Sequence, residues 1–387
     1  MTGHQLPDRG TNAPAGSGAP GAPGATAWSL GADWYPALVA AATQALPAHV
    51  AAYIASGARR QRTREEAEAA WAGVRLAPRV FSDVRRPDTG VTLLGQGYDL
   101  PVGIAPTSLQ LLAHPDGEPG MVRAAHRCGV PVVVSSNSGT PFAALAQAGE
   151  RWWLQAYLTA DRSLIVPTLL AARDAGAAAV VLTADTPFPG PKPGVVDADF
   201  GDLSGVYGVN HPAAVRGETP GAEHARDLGP ADVAWLRDLT GLPVVVKGVL
   251  RADDARRCRD AGAAAVWVSN HGGRQYDGAI DTVAALSAVA PAVGEEIEVY
   301  VDGGLRSGYD VAAALALGAR AAFLGRPALY ALAAGGSPGV QELMSVVGSE
   351  FREAMALAGA PSPDALAGLA APVLGGPGRP AEPRKHL

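Results

Sequence analysis

Apolar residues in this chain fall into two recurring kinds of segment. Eight short, nearly continuous apolar runs, at 101–105, 130–135, 152–158, 178–183, 243–247, 263–269, 297–301 and 321–324, read as strands buried on both faces. Amphipathic or Ala-rich stretches follow them, such as 120–128, 163–175, 252–261 and 309–317, and these suit helices. Gly176, Gly262 and Gly318 each close such a stretch just before the next strand. Eight strand–helix units call for a parallel sheet covered by helices, and eight is the number that closes a TIM-type (β/α)8 barrel. An open doubly wound sheet is the competing α/β architecture, but no Gly-x-Gly-x-x-Gly fingerprint follows the first strand.

Ahead of the first strand the spacing changes to three and four residues through Trp34, Leu38, Val39, Leu46, Val50 and Ile54. The expected organisation is therefore a disordered Gly/Pro/Ala-rich tail over 1–27 and an N-terminal helical segment over 28–97, packed on a barrel over 98–372. A flexible C-terminal tail covers 373–387. One connection is out of scale. Between Asp185 and the helix expected near 230–239 lie about forty residues rich in Gly, Pro and Asp, which predicts a lid over the barrel mouth.

Composition narrows the function. A net charge of −6 with 48% hydrophobic and 18% charged residues suits a soluble enzyme and argues against a nucleic-acid partner. The dense basic run at Arg59, Arg60, Arg62 and Arg64 reads as a solvated helix start. Cys128 and Cys258 lack metal-ligand spacing and read as small apolar helix residues in a reducing compartment, with no metal expected. No stretch approaches the ~20 apolar residues of a membrane span, and no secretory signal is recognisable, so the expectation is a cytoplasmic protein.

In a barrel the C-terminal strand tips share one crater. The tips carry Pro106-Thr107-Ser108, Ser135-Ser136-Asn137, Gln155 with Tyr157, and Thr183-Ala184-Asp185-Thr186. They continue with Lys247, Ser269-Asn270-His271-Gly272-Gly273-Arg274, Asp302-Gly303-Gly304-Leu305-Arg306 and Gly325-Arg326. His271 reads as a proton acceptor and Arg274 as an anion clamp. The two Gly-Arg turns after strands seven and eight suit a phosphate. Lys247 brings a charge into a dry interior, which requires either an electron-rich cofactor or a salt bridge to Asp302 or Asp185.

Ser269-Asn270-His271-Gly272-Gly273-Arg274-Gln275 closely resembles the signature of the FMN-dependent α-hydroxy-acid oxidases and dehydrogenases. Ile104-Ala105-Pro106-Thr107, Leu182 to Pro187, Val246-Lys247-Gly248-Val249 and Val301-Asp302-Gly303-Gly304 match further motifs of that family in the same order. The resemblance implies FMN at the strand C-termini and oxidation of a 2-hydroxy acid, or a related carbinol, to its 2-oxo product. It makes His271 the base, supported by Asp185, and Arg274 the carboxylate clamp, with Tyr157 near the substrate oxygen. Lys247, Gln155, Thr183 and Ser269 would contact the flavin ring, and Pro106, Thr107 and Ser108 would line its reactive edge. Ser135 and Asp302 would lie beside the cofactor, and Gly304, Arg306, Gly325 and Arg326 would hold its phosphate. A homo-oligomer, tetrameric by resemblance, is expected, with a small-molecule substrate and neither nucleic acid nor membrane as partner.

Four departures bear on the substrate. Ala51 stands where the motif places a carboxylate-binding tyrosine, and Tyr53, about 200° around a helix from it, is not expected to substitute. Lys192 replaces a second arginine, supplying charge without a fork. Asn137 stands where several members carry a bulky aromatic, and Ser108 where glycine or alanine is usual, so a larger substrate is expected, such as a biosynthetic intermediate. Two other functions remain: an FMN-barrel isomerase without net redox change, and a silent flavin binder.

Overall fold

A computed structural model describes residues 33–192, 200, 203, 205–211 and 219–371. Both expected tails and parts of the expected lid therefore lie outside the described residues. Three helices come first: α1 (Trp34–Ala45), α2 (Ala48–Ala55) and α3 (Arg62–Ala72). Trp34 and Leu38 on α1 and Val50 and Ile54 on α2 are buried, spaced as the helical pattern required, with Leu46 buried between the two helices and Val39 half-buried. Next comes an antiparallel hairpin, β1 (Val91–Leu93) and β2 (Gln96–Tyr98), which the apolar pattern did not predict. Its strands are three residues each, too short for alternation to show.

The barrel alternates as expected. It runs β3 (Val102–Ile104), α4 (Gln110–Ala113), α5 (Gly117–Arg127), β4 (Val133–Ser135), α6 (Phe142–Ala148), β5 (Trp153–Ala156), α7 (Val166–Asp174) and β6 (Val180–Thr183). It continues with α8 (Pro230–Thr240), β7 (Val244–Val249), α9 (Ala252–Asp260), β8 (Ala265–Val268), α10 (Thr282–Val293), β9 (Glu298–Val301), α11 (Gly308–Ala316), β10 (Ala321–Leu324) and α12 (Arg326–Ala358). All eight barrel strands are parallel in the order β3-β10-β9-β8-β7-β6-β5-β4. A parallel bridge between Ile104 and Val132 joins the two ends, so the sheet closes on itself.

Both faces of these strands are buried, which explains why they read as unbroken apolar runs. Inside the barrel Trp153, Trp267, Tyr300 and Phe323 stack as a plug, Trp267 and Phe323 having ring centroids 4.0 Å apart. The hairpin continues that plug: Val91 and Leu93 join the interior cluster, and Leu94 N–H donates to Glu298 at 2.9 Å. The N-terminal end of the barrel is thus packed shut, and polar chemistry is confined to the other end. Cys128 and Cys258 are free, half-buried thiols whose pKa burial pushes up to about 11.

Candidate active site

The loop after β8 is built around three consecutive left-handed residues, His271 (φ 57°), Gly272 (61°) and Gly273 (72°). Glycine is required at 273, since a Cβ there would lie 2.5 Å from the Arg64 backbone nitrogen at the start of α3. A histidine in this region is uncommon and costs on the order of 1 kcal/mol or more. Its backbone is held by Ser269, whose Oγ accepts the His271 N–H at 3.0 Å. Its ring is held by Asp185, with Nδ1 3.1 and 3.3 Å from the two carboxylate oxygens. Nδ1 is thereby occupied, and Nε2 is the nitrogen left to accept a proton in the cavity. Burial pushes the Asp185 carboxyl up, but the opposing pull of His271, Lys247 and the Thr186 hydroxyl holds it below the usual carboxylate range. Gly248 (φ 102°) lets β7 bulge against this aspartate, where a Cβ would come within 2.6 Å of Asp185.

Lys247 ends its apolar stretch inside the site and is 4% exposed. Its Nζ lies 2.9 Å from Asp302 Oδ2 and donates to Ser269 Oγ at 2.6 Å, while Ser269 donates to Asp302 Oδ1 at 2.5 Å. Of the two carboxylates the sequence offered as partners, Asp302 makes the bridge. Ser269 is buried behind the cavity lining, its hydroxyl bonded to Lys247, Asp302 and the His271 backbone. Asp185 likewise sits one layer behind. Every other expected site residue lines a single cavity at the C-terminal strand ends.

Helix α2 shapes the anion-binding side. Arg274 Nη1 donates to the carbonyls of Tyr53 (2.9 Å) and Ser56 (2.8 Å), which leaves Nε and Nη2 free of partners among the described residues. Arg326 donates to the carbonyls of Ile54, Ser56 and Gly272 at 3.0, 2.9 and 3.0 Å. Two guanidiniums thus cap the negative end of one helix. Tyr53 corrects an expectation, for it lines the cavity with the Arg274 guanidinium 4.7 Å above its ring, whereas Ala51 does not line the cavity. In the last turn of α2, position 53 faces the barrel mouth, so the tyrosine that seemed misplaced is the one that arrives.

The cluster carries more positive charge than its neighbours neutralise. Arg306 pairs with Glu68 at 2.9 Å, but Arg326 has no carboxylate partner among the described residues. Burial, then repulsion from Arg274, Arg306 and Arg64, pushes its pKa down to about 9. Gly325 beside it has open space where a Cβ would point, with only Ala105 Cβ within 4 Å, at 3.9 Å. A phosphate would enter that gap and supply the missing negative charge, so the residues present fit the phosphate end of FMN.

The opposite wall holds residues the strand-tip reading missed. His224 stacks on Tyr157 with centroids 4.6 Å apart and a 12° interplanar angle, and its Nδ1 meets the Thr186 carbonyl at 3.0 Å. Burial raises the Tyr157 hydroxyl pKa, the Asp185 carboxylate adding to it, and burial lowers that of His224. No local signal marks His224, because it arrives through the long connection, which folds back so that residue 224 bridges Thr159. Tyr207, on the same connection, meets Asn137. Lys192 lines the cavity, and burial together with Arg274 pushes its pKa down to about 8.

Residues 42–370 match the model of the FMN-dependent dehydrogenase family. Among curated relatives, 4-hydroxymandelate oxidase of Amycolatopsis orientalis is 38% identical over 332 residues, covering 83% of this chain and 93% of that protein. Human 2-hydroxyacid oxidase 1 is 36% identical over 334 residues, covering 82% and 90%. Among solved structures, mandelate oxidase with (S)-4-hydroxymandelic acid superposes with a TM-score of 0.82 at 36% identity, covering 86% of this chain and 97% of that one.

Proposed function

Since the chain belongs to the FMN-dependent dehydrogenase family and oxidises a 2-hydroxy acid with FMN as cofactor, we propose how its residues divide that work. Gln155, whose Nε2 donates to Thr183 Oγ1 at 3.0 Å, would hold the flavin ring together with Thr183 and Lys247. Pro106, Thr107, Ser108 and Ser135 would border it, and Gly304, Arg306, Gly325 and Arg326 would hold the phosphate. FMN, when bound, supplies the acceptor for the two electrons that leave the substrate.

Arg274 turns its free Nε and Nη2 to the substrate carboxylate, with Lys192 as a second, single-point charge. Tyr157 and Tyr53 offer hydroxyls that burial keeps protonated in the first case and that Arg274 packing fixes in the second. His271 accepts the departing proton at Nε2, and Asp185 steadies the imidazolium that results. Lys247 places a positive charge where negative charge gathers during turnover, and Asp302 offsets the cost of burying it.

The observation that carries this reading is that His271, held from behind by Asp185 at 3.1 Å, lines the same cavity as Arg274. It favours oxidation over isomerisation without redox change. The reading of a silent flavin binder rested on Ala51 and Lys192, and Tyr53 removes the first support. With Asn137 and Ser108 on the cavity wall, the substrate is larger than glycolate or lactate. The test is anaerobic bleaching of the bound flavin by glycolate, lactate and mandelate: mandelate should act fastest, and faster bleaching by glycolate or lactate would refute the larger-substrate reading.

We extend the reading to a cytoplasmic homo-oligomer. Val80 and Phe81 are 75% and 106% exposed, an apolar pair suited to a subunit contact, and sedimentation of the wild type against Phe81→Glu would test it. Among the described residues no helix is long and apolar enough to cross a membrane.

A further inference from the structure

Asn137 follows β4 and Tyr207 lies on the connection after β6, yet both line the cavity and Asn137 Nδ2 donates to the Tyr207 hydroxyl oxygen at 2.9 Å. The contact is built rather than incidental. Gly208 N–H donates to the Asn137 carbonyl at 3.1 Å, Val209 N–H donates to that of Ser138 at 3.2 Å, and Gly139 is pressed so closely on Val206 that a Cβ would lie 2.5 Å from its carbonyl oxygen. No further partner of either side chain's polar tip is recorded among the described residues. In this arrangement Tyr207 keeps a free O–H donor and Asn137 a free carbonyl acceptor. If the amide is turned over, Asn137 keeps the donor and Tyr207 the acceptor, so the pair presents one of each to the cavity either way. β4 lies four places from β8 in a ring of eight strands, so this pair faces His271 across the crater.

Resting on the reading of this site as a 2-hydroxy-acid oxidation centre, we infer that the substrate's side chain ends in a group that donates and accepts hydrogen bonds at once, received by Asn137 and Tyr207. A hydroxyl or a primary carboxamide meets that requirement. A terminal carboxylate lacks the donor, a terminal ammonium lacks the acceptor, and a methyl group would leave both protein groups unpaired.

The FMN-loaded protein would be assayed anaerobically with 3-hydroxy-, 4-hydroxy- and 4-carbamoylmandelate and with 3- and 4-methylmandelate, alongside mandelate and glycolate. At least one polar acid should exceed its methyl counterpart in kcat/KM by about tenfold or more. Asn137→Leu and Tyr207→Phe should each bring that ratio towards one, whereas a variant that merely misfolds would lower both substrates together and lose flavin absorbance. Calorimetric titration of the wild type with 4-hydroxy- and 4-methylbenzoylformate gives a binding readout without turnover or mutation. Tighter binding of the hydroxylated ligand supports the inference. Equal rates and affinities for polar and methyl ligands, or a preference for glycolate over the whole series, would overturn it while leaving the oxidation reading intact. Failure of every acid to bleach the flavin would overturn both.

Discussion

The two walls of the crater are built on different principles. On the side of β7, β8 and β9, the buried strand-end charges are paired: Lys247 with Asp302, and His271 with Asp185, with Ser269 hydrogen-bonded to both Lys247 and Asp302. On the side of β4, β5 and the connection after β6, Asn137, Tyr157, Lys192, Tyr207 and His224 meet through single hydrogen bonds and one ring stack, with donors and acceptors left over. A preorganised wall cannot adapt, because moving one member strands a buried charge; a loosely partnered wall can change residue by residue without disturbing its neighbours. On the reading proposed above, the first serves the reaction and the second, Tyr157 apart, receives the substrate's side chain. Substitutions should separate the walls accordingly, by rate on one side and by recognition on the other.

The largest effect should come from His271→Ala. Removing the proton acceptor should lower kcat by about 10³- to 10⁴-fold, with FMN retained because no part of the phosphate cluster is touched. Single-turnover flavin reduction with mandelate would read the rate, and the visible spectrum the cofactor. Retention of full activity would mean the base lies elsewhere. Lys247→Met comes next and acts differently. It leaves the Asp302 carboxylate buried beside Ser269 without its cation, which should cost about 3–5 kcal/mol of stability. Thermal unfolding of Lys247→Met against Lys247→Met/Asp302→Asn would check this, since the double variant should recover much of the loss.

Arg274→Lys sharpens the boundary between the walls. The lysine keeps the charge but loses the fork and the stacking on Tyr53, so KM for the 2-hydroxy acid should rise about 10- to 100-fold with a smaller change in kcat. Arg274 belongs by sequence to the reaction wall, yet it is held by carbonyls of α2, which enters from outside the barrel.

That dependence marks the limit of what the sequence made legible. The barrel, its strand tips and the His271–Asp185–Lys247 set were readable because each parallel strand is a continuous apolar run and each tip carries its chemistry within a few residues. The hydrogen bonds of Ser269 were not legible, because its position at a strand end says nothing of which way a buried hydroxyl is spent. Tyr53 was misread because a helical wheel gives relative angles within α2 but not which face meets the mouth. His224 and Tyr207 left no local signal, since only the folding back of the long connection brings them to the cavity. The short hairpin that plugs the far end was missed for want of length.

The smallest and most specific effect belongs to the recognition wall. Lys192, with its pKa pushed down to about 8, is mostly ammonium at pH 7 and mostly neutral amine at pH 9. An anionic substrate binds the ammonium form, so affinity should be full below pH 8 and fall as pH rises through it, appearing as a rise in KM. A bound carboxylate raises the lysine's pKa in the complex, so the limb in kcat should start at higher pH than the limb in kcat/KM. Lys192→Arg should move the limb beyond the accessible range, and Lys192→Met should remove it while raising KM severalfold at pH 7. A limb that persists unchanged in Lys192→Met would assign the titration to the reaction wall and erase the distinction drawn between the two sides.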